Sequence, residues 1–122
     1  MDKEKFVEEL QERTKKLAIR IIKMYEQLRK TDSVRIIGKQ LIRSSTSSAA
    51  NYRAACRARS KAEFFAKMSI VVEEADETVF WLELLEESQL VTADRLASLK
   101  QEATEILSIM AKARKNIHRR RE

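Results

Sequence analysis

The residues in this sequence whose types and spacing suggest chemistry are basic. Between residues 29 and 62, nine lysines and arginines accompany a single acid, Asp32. Several of them recur at helical spacing, so they would form a stripe along one side of a helix. The cationic groups of such a stripe can neutralise successive phosphates of a nucleic acid. The predicted phosphate contacts are Arg35, Lys39, Arg43, Arg53, Arg57 and Arg59, together with the C-terminal Arg119, Arg120 and Arg121.

An acidic segment follows the basic one and offers these cations a partner within the protein. Between residues 63 and 94, nine acids accompany a single base, Lys67. The basic stripe can therefore pair with the acidic side of the next helix, either within one chain or in a neighbouring subunit. The C-terminal arginines have no such block beside them and are either a nucleic-acid contact or a solubilising end. Tyr52, the one aromatic residue among the basic ones, is predicted to point into the core, so binding is expected at the nucleic-acid backbone.

The sequence contains no arrangement that predicts nucleophilic catalysis. Serines and a threonine cluster between Ser44 and Ser48, but no histidine lies near them to act as a base. Cys56 lies among arginines that could lower its pKa, but a lone thiol at the edge of a core is more commonly an apolar filler. A single glycine, Gly38, excludes a glycine-rich loop of the kind that cradles phosphate. We therefore predict that the protein is not an enzyme.

A metal centre is not predicted either. Di-iron sites in helical bundles use glutamates from four helices, with a Glu-x-x-His motif on two of them. The only histidine is His118, in the basic tail, and the sequence contains no Glu-x-x-His. The acidic residues between 73 and 77 are predicted to form a solvated or partner-facing surface. No metal and no cofactor are expected.

Composition predicts an all-α protein with one domain. Of the 122 residues none is proline, one is glycine, 36% are charged and 6% are aromatic, which is typical of long helices with few tight turns. One domain over residues 1–122 is expected, ending in a basic tail from about residue 114. Cys56 is the only cysteine, so no internal disulfide can form. No signal peptide or membrane span is recognisable, and the expected location is the cytoplasm.

Hydrophobic periodicity and capping residues divide the chain into four helices. The expected spans are residues 3–30, 33–57 and 61–87, with a fourth helix after a turn at residues 88–92. The predicted capping residues are Asp32-Ser33 for the second helix, Ser60 with Glu63 for the third, and Thr92 or Asp94 for the fourth. Short links make sequential helices antiparallel, so an up-down-up-down four-helix bundle is predicted.

The third helix carries apolar residues on two faces. One face is expected to line the core, and the opposite face of a monomeric bundle helix should then be polar. Large apolar side chains instead lie among glutamates there, which predicts a second buried interface between subunits. The alternative is an unusually wide core face. The predicted oligomer-interface residues are Ile70, Glu74, Glu77, Phe80, Trp81 and Leu84.

The segment from Gln40 to Ser88, roughly half of the chain, resembles a known family. It is similar to the four-helix-bundle proteins encoded by intervening sequences in bacterial large-subunit (23S) rRNA genes. The family pattern joins a Leu-x-Arg-x-Ser motif, an Arg-x-x-Ser-x-x-Glu-Phe helix start and a glutamate-rich helix that ends in Trp-Leu-x-Leu-Leu. The matching residues are Leu41, Arg43, Ser45, Ser47, Asn51, Arg57, Ser60, Glu63, Phe64, Glu74, Glu77, Thr78, Trp81, Leu82 and Leu85.

The resemblance implies a homopentameric ring of antiparallel bundles and no enzymatic activity. It also implies a likeness in fold to the accessory variability determinant of diversity-generating retroelements, a basic pentameric barrel that binds nucleic acid and a reverse transcriptase. Many family members carry a glutamate three residues after the asparagine that matches Asn51. Ala54 occupies that position here, so no role of that glutamate is transferred to this chain.

Two functions are therefore expected as alternatives. The first is a cytoplasmic, non-enzymatic homo-oligomeric scaffold that binds structured RNA, or the backbone of RNA or DNA, through its basic surface. The second is a protein-interaction module that acts as an accessory subunit of a reverse transcriptase or another partner, without contacting nucleic acid. In a head-to-tail ring, the basic side of helix two would face the acidic side of helix three in the next subunit.

Overall fold

Four α-helices make up the protein in a computed structural model, which describes the backbone of residues 2–121 and the side chains of residues 2–116. The helices are α1 (Lys3–Glu26), α2 (Asp32–Ala55), α3 (Lys61–Glu87) and α4 (Ala93–Arg121). No strand occurs in residues 2–121. The prediction of an all-α protein with four helices is confirmed.

The first helix is shorter than its apolar pattern predicts. It ends at Glu26 rather than near residue 30. The Lys30 ammonium donates hydrogen bonds to the carbonyl oxygens of Tyr25, at 2.5 Å, and Leu28, at 2.7 Å. A cation at this end also opposes the negative pole of the helix dipole. Because the last carbonyls are satisfied in this way, the chain can leave the helix and turn into the link to α2.

The second and third helices begin at capping residues. Thr31 caps α2 because its Oγ1 accepts from the Val34 N–H at 3.2 Å, so the predicted cap at Asp32-Ser33 is wrong by one residue. Ser60 caps α3 as predicted, with its Oγ 3.0 Å from the Glu63 nitrogen. In both cases the capping residue has an extended backbone, and its oxygen satisfies an N–H that the helix leaves free.

Sequential helices run antiparallel, and α4 closes against α1. The pairs that establish this order are Ser44–Thr78 and Ser48–Val71 between α2 and α3, Glu86–Lys100 between α3 and α4, and Arg13–Glu102 between α4 and α1. The start of α1, the end of α2, the start of α3 and the C-terminal part of α4 therefore lie at one end of the bundle. The α1–α2 and α3–α4 links lie at the other end.

Each helix contributes one apolar face to a single core. The fully buried large side chains are Ile21, Leu41, Met68, Val71, Leu82, Leu85, Leu96, Ile106 and Met110. Phe6 continues the apolar pattern of α1 but is 45% exposed. It lies in the first turns of α1, where the helix extends past the main layers of the core.

Small polar residues occupy the contact between α2 and α3. Ser44 and Thr78 are buried, and their hydroxyl oxygens are 2.9 Å apart. Ser48 is also buried and donates to the Val71 carbonyl across the interface at 3.3 Å. Short side chains let two helix backbones approach closely, and the cross-helix hydrogen bonds satisfy the hydroxyls that this contact buries. The serine-rich segment of α2 is therefore a packing surface.

The C-terminus of α3 contains a residue with a left-handed backbone. Gln89 has φ 62°, and its N–H bonds the Glu86 carbonyl at 3.0 Å. The next N–H, from Leu90, bonds the Leu85 carbonyl at 3.1 Å. This is the Schellman arrangement, in which glycine normally occupies the left-handed position because it has no Cβ.

Replacing Gln89 with glycine is expected to raise the free energy of unfolding by about 1 kcal/mol, because the left-handed conformation costs a residue with a Cβ roughly that amount. Urea unfolding followed by circular dichroism would measure the change. Ser88, one position earlier, has φ −81° and is the matched control. Ser88→Gly should be neutral or destabilising, and a gain equal to that of Gln89→Gly would contradict the explanation.

Candidate nucleic-acid interface

Arg43, a predicted phosphate contact, is held by carboxylates of its own chain. Its guanidinium donates to Glu74, at 3.0 Å, and to Glu77, at 3.1 Å, both on α3. It also donates to the Gln40 side chain on the preceding turn of α2. The pairing of basic α2 with acidic α3 within one chain, which the sequence left open, therefore occurs at this residue.

Burial and proximity separate the acidities of Glu74 and Glu77. Burial acts to raise the pKa of Glu74, which is 8% exposed, but hydrogen bonds from Glu77 and Ser47 and the charge of Arg43 outweigh it and lower the pKa. The pKa of Glu77 is raised, first by its hydrogen bond with Glu74 and then by burial. Glu74 thus carries the charge that Arg43 neutralises. Because this carboxylate is buried within the bundle, it is not available to a second subunit.

The other predicted cations of α2, and Arg57 in the link that follows it, are exposed and pair with no acid of α3. Arg35 has a single exposed carboxylate neighbour, Asp32, at 3.5 Å. Within residues 2–116, Lys39, Arg53 and Arg57 form no ion pair. An exposed arginine without a protein acid keeps its charge available for an external anion, and the surface pair of Arg35 costs little to break.

The fold brings distant parts of the basic sequence together. The Arg114 guanidinium on α4 lies 5.9 Å from the centroid of the Phe65 ring near the start of α3. The C-terminal part of α4 therefore runs beside the link between α2 and α3. Arg119, Arg120 and Arg121 belong to this part of α4, but their side chains lie outside the described residues.

We call this region the basic end. Its exposed cations are Arg57, Arg59, Lys61, Lys112 and Lys115. The exposed acids Asp2 and Glu4 at the start of α1 also lie at this end. Glu63 lies here as well, and its carboxylate accepts from the Arg59 backbone N–H at 3.1 Å. Lys61, Lys112 and Lys115 were not among the predicted phosphate contacts. The antiparallel order of helices was the signal that could have identified them, because it places the start of α3 beside the last turns of α4.

A groove of about 550 Å³ separates α1 from α2 on the outer surface. Its apolar lining is Ala18, Ile19, Ile22, Ala49 and Ala50. Its charged lining is Glu12, Lys15, Arg53 and Arg57. Arg57 therefore joins the groove to the basic end. The predicted stripe did not include α1 residues, because their contribution depends on which face of α1 packs beside α2.

Comparison with known proteins places the chain in a family. Residues 8–112 match the sequence profile of the family described as 23S rRNA-intervening sequence protein. The chain belongs to this family. A solved structure from Bacteroides thetaiotaomicron VPI-5482, a protein with unknown function from the S23 ribosomal protein family, superposes with a TM-score of 0.79 at 32% sequence identity. The match covers 89% of this chain and 97% of that one. No curated protein matches the chain.

Family membership confirms the resemblance carried by α2 and α3. The matched span starts in α1 and ends in α4, so it also includes parts of the helices on which the resemblance did not rest. The Arg43–Glu74–Glu77 cluster joins three residues of the family pattern. In this family member the three side chains bind one another and connect α2 to α3.

The predicted oligomer-interface residues differ in exposure. Phe80 is 50% exposed and Ile70 is 39% exposed, whereas Trp81 and Leu84 are half-buried. The Trp81 ring packs against the core and meets Phe80 edge-on, with 4.9 Å between ring centroids. Its Nε1 is buried and has no hydrogen-bond partner among the described residues. Of these apolar side chains, Ile70 and Phe80 are the ones most available to a second molecule.

The described residues contain little that suggests a reaction or a metal. Within them, no three His, Cys, Asp or Glu side chains are grouped as metal ligands would be. A small cavity between the helices measures about 10 Å³, and Thr14, Ser45, Ser48 and Thr78 form its polar lining. That volume is enough for about one water molecule. None of the described helices is long and apolar enough to cross a membrane.

Proposed function

We propose that this family member is a non-enzymatic homo-oligomer that binds the phosphate backbone of RNA or DNA, in the cytoplasm, through its basic end and the exposed cations of α2. The observation that carries the proposal is the convergence of exposed cations from the α2–α3 link, α3 and α4 at one end of the bundle. The predicted contacts Arg119, Arg120 and Arg121 belong to the same part of α4.

The chemistry of the basic end favours contacts to phosphate over contacts to bases. Five exposed lysines and arginines from the α2–α3 link, α3 and α4 can follow a chain of phosphates, and each contact releases bound counterions from the nucleic acid. Stacking on bases requires exposed aromatic rings. Tyr52, near the end of α2, is buried in the core, and Phe6 at the start of α1 is the one large exposed ring at this end among the described residues. The exposed cations here therefore outnumber the rings that could stack on bases. Structured RNA would then be selected by shape and charge rather than by base sequence.

A binding assay with a matched pair of variants tests the proposal. Fluorescence anisotropy would measure the affinity for a labelled RNA hairpin and a labelled single strand. In the double variant Arg59→Ala with Lys61→Ala, binding should weaken about tenfold or more. For the single strand, the slope of the logarithm of the binding constant against the logarithm of the salt concentration should decrease in magnitude by about 1.4. Each lost phosphate contact removes about 0.7 from this slope.

The control variant removes the same charge from the other end of the bundle. Arg29 lies in the α1–α2 link and Arg95 near the start of α4, and both are exposed. The double variant Arg29→Ala with Arg95→Ala should bind within about twofold of wild type, because these cations lie far from the basic end. Equal losses in the two double variants would contradict the assigned site. Failure of the wild-type protein to bind either RNA at low salt would contradict the function.

The exposed apolar side chains of α3 favour a second candidate function. Phe80 and Ile70 lie on the outer side of the bundle, where large apolar side chains mark protein interfaces. Under this alternative, the chain docks onto a reverse transcriptase or another protein partner without contacting nucleic acid. Salt-insensitive binding of a protein partner, lost in Phe80→Ser and kept in Arg59→Ala, would favour this alternative.

A further inference from the structure

The groove between α1 and α2 has the composition of a site for an amphipathic helix. Ile19, on its floor, is 43% exposed, and the small side chains of Ala49 and Ala50 leave room above α2. Lys15 borders the groove on α1, and Arg53 borders it on α2. The charged lining comprises three cations and one acid, Glu12, so the groove has a net positive charge. An apolar floor with this charge fits a helix that presents apolar residues flanked by acids.

The outer side of α3 presents such a surface. Ile70 and Phe80 are ten positions apart, which corresponds to about 15 Å along a helix. The acids Glu73 and Glu83 fall on the same outer side, are exposed, and form no ion pair within residues 2–116. We call these four residues the α3 outer stripe.

The two surfaces also agree in length. The α1 wall of the groove runs from Gln11 to Ile22, or about 16 Å at the helical rise per residue. That distance is close to the span of the α3 outer stripe. Both surfaces are exposed in the described part of the chain and are opposite in charge. They lie on different sides of the bundle, so one molecule cannot bring its own stripe into its own groove.

We propose that the α1–α2 groove of one copy takes the α3 outer stripe of a second copy. The inference rests on the self-association included in the proposed function, and it names the two contacting surfaces. Because the surfaces differ, the contact is head-to-tail and repeats from copy to copy until a ring closes or a filament forms. The groove floor offers no aromatic ring for a base to stack on, which favours a helix over a nucleic-acid strand.

The proposal divides the basic residues between two tasks. Lys15 and Arg53 neutralise the acids of the neighbouring copy. The cations of the basic end, such as Arg59 and Lys61, stay exposed for phosphate. Assembly and nucleic-acid binding should therefore be separable by mutation.

Charge reversal provides the test. Lys15→Glu with Arg53→Glu reverses the groove, and Glu73→Arg with Glu83→Arg reverses the stripe. Each double variant should self-associate at least about tenfold more weakly than wild type in light scattering after size exclusion. A mixture of the two should associate again as alternating copies, because each altered groove then meets an altered stripe and each native groove meets a native stripe. A ring with an odd number of copies cannot alternate throughout, so the readout is recovery of association and not the wild-type subunit number. Arg29→Glu with Arg95→Glu is the charge-matched control for the groove variant and should assemble as wild type does.

The remaining outcomes distinguish a failure of this inference from a failure of the proposed function. Circular dichroism first establishes that every variant has wild-type helicity and melting temperature, which is expected because the altered side chains are exposed. If both reversed variants assemble as wild type does, the groove assignment is overturned while self-association stands. If the groove variant stays assembled but loses RNA binding, the groove holds nucleic acid and the inference is overturned. A wild-type monomer would overturn both the inference and the proposed self-association, whereas phosphate binding would still be judged by Arg59→Ala with Lys61→Ala.

Discussion

Replacing Ser44 with leucine is expected to lower the free energy of unfolding by about 3 kcal/mol. Ser44 is completely buried between α2 and α3, and its Oγ is 2.9 Å from the Thr78 Oγ1. A leucine side chain adds atoms where the opposite helix leaves no space, so the helices must separate or the side chain must take a strained rotamer. Urea unfolding followed by circular dichroism would measure the loss.

Two companion variants separate crowding from the lost hydroxyl. Ser44→Ala should cost less than about 1 kcal/mol, because Thr78 retains the Glu74 carbonyl as an acceptor. Ala97→Leu places the same bulky side chain on the exposed side of α4 and should be nearly neutral. If Ser44→Ala were as harmful as Ser44→Leu, the hydrogen bond rather than the close packing would hold α2 against α3.

Replacing Gly38 with alanine is expected to destabilise the protein by about 1–2 kcal/mol, although alanine is the better helix former by about 1 kcal/mol. A Cβ at position 38 would overlap the edge of the Tyr25 ring. The Tyr25 ring also makes a cation–π contact with the Lys30 ammonium, which lies 4.5 Å from the ring centroid. Displacing a packed ring outweighs the gain in helix propensity.

The sign of the Gly38→Ala effect should reverse when Tyr25 is removed. In a Tyr25→Ala background the overlap is gone, so the helix propensity of alanine should then stabilise α2 by up to about 1 kcal/mol. A double-mutant cycle from thermal or urea unfolding would give this coupling. Destabilisation of the same size in both backgrounds would show that the contact with Tyr25 does not explain why glycine occupies position 38.

The two proposals place assembly and nucleic-acid binding on neighbouring surfaces. Arg53 borders the groove, Arg57 lies where the groove meets the basic end, and Arg59 lies in the link beyond it. A neighbouring copy in the groove would bring acids near Arg57 and leave Arg59 exposed. Nucleic-acid affinity should therefore depend more on Arg59 than on Arg53, although both belong to the basic sequence between residues 29 and 62.

Features set by near neighbours along the chain were predictable from the sequence. The four helices follow from apolar periodicity and the lack of proline, and the cap at Ser60 follows from a contact only three residues long. The predicted end of α1 was wrong by four residues. It depends on the Lys30 side chain, which hydrogen-bonds a carbonyl oxygen at the end of that helix. The family was also recognisable, because its pattern lies in two adjacent helices.

The tertiary structure decided which charges are available and which surfaces meet. Arg43 and Arg53 are similar in sequence context, yet Arg43 is held by two carboxylates and Arg53 by none among the described residues. The sequence by itself determined the helices and the sign of each charged segment, because these depend on local hydrogen bonds and composition. The basic end, the groove and the need for glycine beside Tyr25 depend on helix rotation and on the antiparallel order, which arise only when the four apolar faces pack into one core.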